Sequence, residues 1–195
     1  KFAPSSPVHL TQVDGAFLSL YYCEMSRGAE QKFIRTVLAY YRAHKRDLPW
    51  RKTKDPYHIL VSEVMLQQTQ AQRVVGKYRE FITRFPTVSA LAAAPFAEVL
   101  HEWQGLGYNR RALYLHKTAN IITTEYGGEI PRDPALLETF PGIGHYTARA
   151  ISAFAFNEPY VFIETNIRSV YLHHFFPTRE KVSDKELLPL IERTL

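Results

Sequence analysis

Two glutamates in this chain stand in opposed settings. Glu63 lies inside PYHILVSEVML (56–66), an otherwise almost wholly apolar stretch, where an ionised carboxylate without partners would carry a heavy desolvation cost. It either has a polar partner, as buried structural glutamates do, or a raised pKa that keeps it protonated near neutral pH, as a general acid requires. Glu164 precedes TNIR, where a helix is expected to start and the positive end of its dipole favours negative charge. It is expected to remain ionised, whether as a plain helix cap or as a working carboxylate. Two carboxylates in opposite protonation states can cleave a glycosidic bond: one protonates the leaving group while the other stabilises a cationic sugar or directs water. A nucleotide's N-glycosidic bond poses the same problem.

A second candidate is the turn in FPGIGHY (140–146), which breaks the chain with a proline and two glycines. Gly142 and Gly144 are expected to take backbone torsions closed to other residues and to remove side chains that would hold a ligand away. The N–H groups of Gly142, Ile143, Gly144, His145 and Thr147 can then converge on one anion, of which a DNA phosphate is the natural case. Such contacts anchor a strand without reading its sequence. Taken alone, PGIG could also be a plain connection between helices.

The elements that must position these residues read as helices. Residues 1–29 form a poorly patterned extension, punctuated by Pro4, Pro7, Gly15 and Gly28, and a helical catalytic domain is expected over 30–195. From Gln31 apolar residues recur at helical spacing, and 56–66 reads as a helix buried on most sides. QQTQ interrupts it, leaving Gln67 and Gln68 at a junction, and Thr69 with Gln72 has the form of a capping box for the next helix. Pro95 suits the first turn of FAEVLHEW, and Tyr108, Ala112, Leu115, Ala119 and Ile122 keep a near-ideal period up to Gly127. Asp133 before Pro134 signals a short helix, so a helix, turn and second helix occupy about 134–156. Further starts are expected at Thr165 and at Ser183 with Glu186 as a capping box. No segment alternates like a paired strand, VFI (161–163) being the nearest, and the chain reads as all-α.

With 195 residues and 46% hydrophobic content the chain can bury a sizeable core, and its net charge of +5 favours a polyanionic partner. One cysteine, Cys23, excludes a disulfide framework and any cysteine-based metal or iron–sulfur cofactor within these residues. No apolar run approaches the ~18 residues of a membrane span, and KFAPSSPVHL lacks a secretion signal's apolar core, so a soluble intracellular protein with no membrane partner is expected.

LPWR (48–51), PYHILVSEVMLQQTQ (56–70), FP (85–86), GLGYNRRA (105–112), GG (127–128) and PGIGHYTA (141–148) follow the order and spacing of a known family. Over residues 31 to 172 the chain resembles the MutY-type adenine DNA glycosylases of the helix-hairpin-helix superfamily, relatives of endonuclease III. The resemblance implies a two-lobed all-α fold with the active site between the lobes. It also implies a monofunctional base-excision enzyme that hydrolyses the N-glycosidic bond of a flipped adenine mispaired with 8-oxoguanine or guanine. Glu63 matches the catalytic acid, and Gln67 and Gln68 match residues that enter the helix stack. Tyr108 matches an aromatic wedge, although its place in the periodic run also suits core packing. Tyr146 stands where bifunctional members carry a Schiff-base lysine, which implies hydrolysis without efficient strand nicking.

Several features depart from the family pattern. Glu164 replaces the family's catalytic aspartate, and a displacement of about 1 Å can cost ~100-fold in rate. Asn109 replaces a second tyrosine or similar residue after GLGY. The family's four-cysteine loop and its domain for recognising oxidised guanine lie beyond residue 195, which is either a natural end or a fragment boundary. The implied partner is double-stranded DNA containing a mismatch or oxidised base, met by a monomer in the bacterial cytoplasm or a eukaryotic nucleus. No metal catalyst is required, although turn carbonyls of the hairpin could hold a structural cation. Arg110, Arg111, Lys117 and Arg149 are candidate phosphate contacts, or else charges on solvated helix faces. Two other readings are a thymine or uracil mismatch glycosylase, which Tyr146 permits and QQTQ opposes, and a paralogue that binds damaged DNA without cutting, which Glu164 motivates.

Overall fold

A computed structural model describes the backbone of residues 15–194 and the side chains of residues 28–194. The helical spacing of apolar residues becomes ten α-helices among the described residues. They are α1 (Gly15–His44), α2 (Pro56–Leu66), α3 (Ala71–Arg84), α4 (Val88–Ala93), α5 (Phe96–Glu102), α6 (Arg110–Glu125), α7 (Pro134–Leu137), α8 (His145–Phe156), α9 (Thr165–Phe175) and α10 (Asp184–Thr194). A 3-10 turn covers Pro49–Arg51. No strand occurs among the described residues, and VFI runs as a loop. No helix among them is long and apolar enough to cross a membrane.

The first helix begins well before the expected Gln31. Leucine, methionine, alanine and glutamate between Gly15 and Glu30 all favour helix, and the one interior glycine there, Gly28, costs only about 1 kcal/mol against alanine. Residues 1–14 of the expected extension lie outside the described residues.

Two compact units make up the chain. One comprises Lys1–Lys45 with Pro189–Leu195, the other Arg46–Leu188. In the smaller unit Arg193 Nε on α10 meets Glu30 Oε1 on α1 at 2.9 Å. The larger unit holds the principal core, centred on Trp103, whose indole lies edge-on to Phe81 at 5.9 Å. In that unit α2 packs against α8 and α3, and α6 against α4.

Caps fix where the site-bearing helices begin. Asp55 Oδ1 accepts from Tyr57 N at 2.8 Å and starts α2, with Pro56 in its first turn. Asp133 Oδ1 accepts from Ala135 N at 3.0 Å and starts α7, while Glu186 Oε2 accepts from Ser183 N at 2.9 Å in the expected capping box of α10. The box expected at Thr69 does not form. Helix α3 starts at Ala71 after Gln70, and the Thr69 hydroxyl instead accepts from Arg111 Nη2 at 3.0 Å. Helix α4, absent from the sequence reading, is started by Thr87 Oγ1 accepting from Ala90 N at 3.1 Å. Pro95 sits at the N-cap of α5, one position before its first turn.

Candidate active site

Glu63 projects from the buried helix α2 and is 8% exposed. The Tyr146 hydroxyl, from the first turn of α8, donates to its carboxylate. Burial pushes the Glu63 pKa up from 4.5 to about 7; the bond from Tyr146 works against that rise and the negative charge of Glu164 adds to it. The two readings left open by the sequence, a polar partner or a raised pKa, therefore hold together. Burial, with the charges of Glu63 and Glu164, raises the Tyr146 phenol pKa as well, so it stays a donor at neutral pH. Its ring is edge-on to Phe162 at 5.3 Å, on the segment leading into Glu164.

Glu164 is the N-cap of α9: Oε1 accepts from Ile167 N at 3.1 Å and Oε2 from Asn166 Nδ2 at 3.1 Å. Capping fixes its carboxylate without removing its influence on Glu63 and Tyr146. Three helices in one unit thus bring together an acid that can be protonated, a phenol and a second carboxylate.

The hairpin requires one of its glycines more than the other. Gly142 has φ +76°, and a Cβ there would lie 2.8 Å from Tyr114 Cβ. Gly144, contrary to expectation, has φ −93°, which any residue adopts, and an added Cβ would meet nothing. Its contribution is a bare surface. Ile143 also differs from a ligand-facing residue, since its side chain is 4% exposed in the core and its N–H donates to Phe140 O at 3.2 Å. It pins the turn from beneath. His145 is exposed and its Nδ1 lies 2.8 Å from Glu138 Oε1, whereas Thr147 is buried and its hydroxyl accepts from Gln67 Nε2 at 3.3 Å. At His145, Tyr146 and Thr147 the first-turn N–H groups have no carbonyl four residues back within the helix, so the positive end of α8 is open to an anion.

Gln67 and Gln68 diverge. Gln67 Nε2 also donates to Gly142 O at 3.2 Å, bracing the end of α2 against the hairpin. Gln68 is exposed with φ 55°. Tyr108 lies ahead of α6 with φ 49° and is 64% exposed, which removes the core-packing alternative. Arg110 and Lys117 are exposed, as phosphate contacts would be. Arg111 and Arg149 are not. Arg149 Nη1 donates to Val161 O at 2.9 Å, and Arg111 is 8% exposed with its guanidinium spent on backbone carbonyls. The helical period held the signal: Arg111 is four residues before the buried Leu115 and adjoins the buried Ala112.

Cys23 is the single cysteine in the sequence, so the donor set of a four-cysteine iron–sulfur cluster does not fit these residues.

Residues 61–193 match the model of the HhH-GPD superfamily base excision DNA repair proteins. The adenine DNA glycosylase of Mycolicibacterium smegmatis is 49% identical over 135 residues, covering 69% of this chain and 46% of that protein. The adenine DNA glycosylase of Homo sapiens is 36% identical over 164 residues, covering 80% of this chain and 30% of that protein. The chain spans less than half the length of either relative. A solved thermostable thymine-DNA glycosylase superposes with a TM-score of 0.79 at 29% identity, covering 87% of this chain and 79% of that one.

Proposed function

This chain belongs to the HhH-GPD superfamily of base excision DNA repair proteins, and we propose that it is a monofunctional DNA glycosylase hydrolysing the N-glycosidic bond of an adenine mispaired with 8-oxoguanine or guanine. The carrying observation is Glu63, buried with a pKa of about 7 and faced by the Tyr146 hydroxyl and the Glu164 charge. The identity to adenine DNA glycosylases supports the choice of base.

Open N–H groups at the start of α8 receive a phosphate, and Gln68 and Tyr108 enter the duplex beside the target. The adenine leaves the stack and meets Glu63, whose carboxylic acid gives its proton to a ring nitrogen. The bond between sugar and base breaks, its electron pair goes to the base, and neutral adenine departs. Glu164 stabilises the oxocarbenium-like sugar and orients water; oxygen bonds to the anomeric carbon, the released proton passes to a carboxylate, and an abasic site results. Tyr146 offers no amine for a Schiff base, so the strand stays intact at this step.

A thymine mismatch glycosylase is the second reading, supported by the superposition on a thymine-DNA glycosylase. The deciding experiment uses duplexes carrying A opposite 8-oxoguanine, A opposite G, T opposite G and U opposite G, followed by alkali to cleave abasic sites. Product from the two adenine duplexes is expected. Product only from T or U would replace adenine with the second reading, and tight binding without product would leave a DNA-binding protein that does not cut.

A further inference from the structure

Among the described residues three that are not glycine have positive φ: Gln68, Tyr108 and Asn157. Asn157 closes α8, where asparagine in the left-handed region is ordinary. Gln68 and Tyr108 have no such excuse, because glutamine and tyrosine visit that region rarely and persist there only where surroundings over-determine the backbone. Both are exposed, and both belong to the duplex-entering pair of the reading above.

One guanidinium holds the peptide units ahead of both. Arg111 Nη1 donates to Gln67 O, immediately before Gln68, and to Met65 O at 2.8 Å and Val64 O at 3.0 Å in the last turn of α2. Its Nη2 donates to Gly107 O at 3.2 Å, immediately before Tyr108, and to Leu106 O at 3.2 Å and Thr69 Oγ1 at 3.0 Å. Trp103 Nε1 donates to the same Gly107 carbonyl at 3.1 Å. The guanidinium carbon also lies 5.5 Å from the centroid of the Tyr108 ring. A cation at the carbonyl end of α2 is favoured by the helix dipole, and the planar fork of arginine can serve two loops at once.

We infer that Arg111 is a positioning residue that sets both halves of the wedge, by fixing the peptide units that turn Gln68 and Tyr108 outward together. This rests on the glycosylase reading for what the wedge enters. It adds that the two intercalating side chains move as one unit, tied to the helix that carries Glu63.

The test compares the wild-type protein with Arg111→Met and Arg111→Lys under single turnover, on adenine opposite 8-oxoguanine and on adenine in an unpaired bulge that needs no wedge to leave the stack. A 2-aminopurine beside the target reports unstacking on binding, and thermal melts report folding. Arg111→Met is expected to lose ~100-fold on the paired adenine, the cost of about 1 Å of misplacement, with a much smaller loss on the bulge. Its 2-aminopurine signal should fall with the paired rate. Arg111→Lys should recover part of both, because its ammonium keeps the charge but not the fork. Equal losses on the two substrates, an unchanged paired rate, or an undiminished 2-aminopurine response would overturn the inference. If Arg111→Met does not fold, Arg111→Lys carries the same comparison. If the wild-type protein excises no base, the proposed function fails, and the 2-aminopurine comparison still decides the role of Arg111.

Discussion

The Tyr146 hydroxyl donates to the Glu63 carboxylate, so the second residue of α8 bears on the protonation of an acid on α2. That bond favours the ionised form, while burial and Glu164 oppose it more strongly and leave the pKa at about 7. Excision that needs the protonated acid should fall as pH rises through about 7. Tyr146→Phe removes the bond that favours the carboxylate and should move this limb to higher pH. Single-turnover rates across neutral pH measure both; a limb that stays put in Tyr146→Phe would break the link between the two residues.

Glu63→Gln should abolish excision and leave duplex affinity within a few-fold, because phosphate contacts supply most of the binding. Stability changes in a defined direction. A carboxyl whose folded pKa is raised from 4.5 to about 7 contributes fully below 4.5 and loses that contribution as pH rises through about 7. The glutamine has no such dependence. Relative to wild type, Glu63→Gln should therefore gain up to about 3 kcal/mol between acid and alkaline conditions. Urea unfolding on either side of the window measures this, alongside binding by anisotropy.

One substitution separates the cap that Glu164 forms from the catalytic role proposed for it. Glutamine at this position keeps an oxygen to accept from Ile167 N, so the stability of Glu164→Gln should stay within about 1 kcal/mol of wild type. It removes the negative charge. If that charge stabilises the sugar cation, excision should fall by at least ~100-fold, the scale for losing one preorganised electrostatic group. The acid limb should also shift to lower pH, since Glu164 no longer raises the Glu63 pKa. A full rate in Glu164→Gln would reduce this residue to a cap.

The legible parts of this molecule were those with a local cause. Asp133 before Pro134, Ser183 with Glu186 and the apolar run around Glu63 each produced the expected element, because caps and burial patterns are written within a few residues. Long-range competition was not legible. Thr69 had every local mark of a cap, yet a residue 42 positions along the chain took its hydroxyl. Arg111 itself read as a surface charge because a basic side chain on a helix is assigned to solvent by default, and only its place on the buried face argued otherwise. At the site, Glu63 and Glu164 could be singled out from their surroundings, each with a structural role left open beside the chemical one. That Tyr146 donates to Glu63 depends on the packing of α8 against α2, which no local pattern records.

The two hairpin glycines should separate folding from binding. Gly142→Ala combines a left-handed backbone with a Cβ 2.8 Å from Tyr114 Cβ, so it should destabilise by about 2 kcal/mol or more. Gly144→Ala meets no atom and has an unstrained φ, so its melting should match wild type within about 0.5 kcal/mol. Its methyl group would stand where the turn is proposed to approach a phosphate. Duplex affinity should weaken, and the slope of log affinity against log salt should shrink by about 1, the loss of a single phosphate contact. Anisotropy titrations across a salt series read that slope directly. If Gly144→Ala binds DNA with unchanged affinity and slope, the phosphate does not sit on this turn and the hairpin serves only to join α7 to α8.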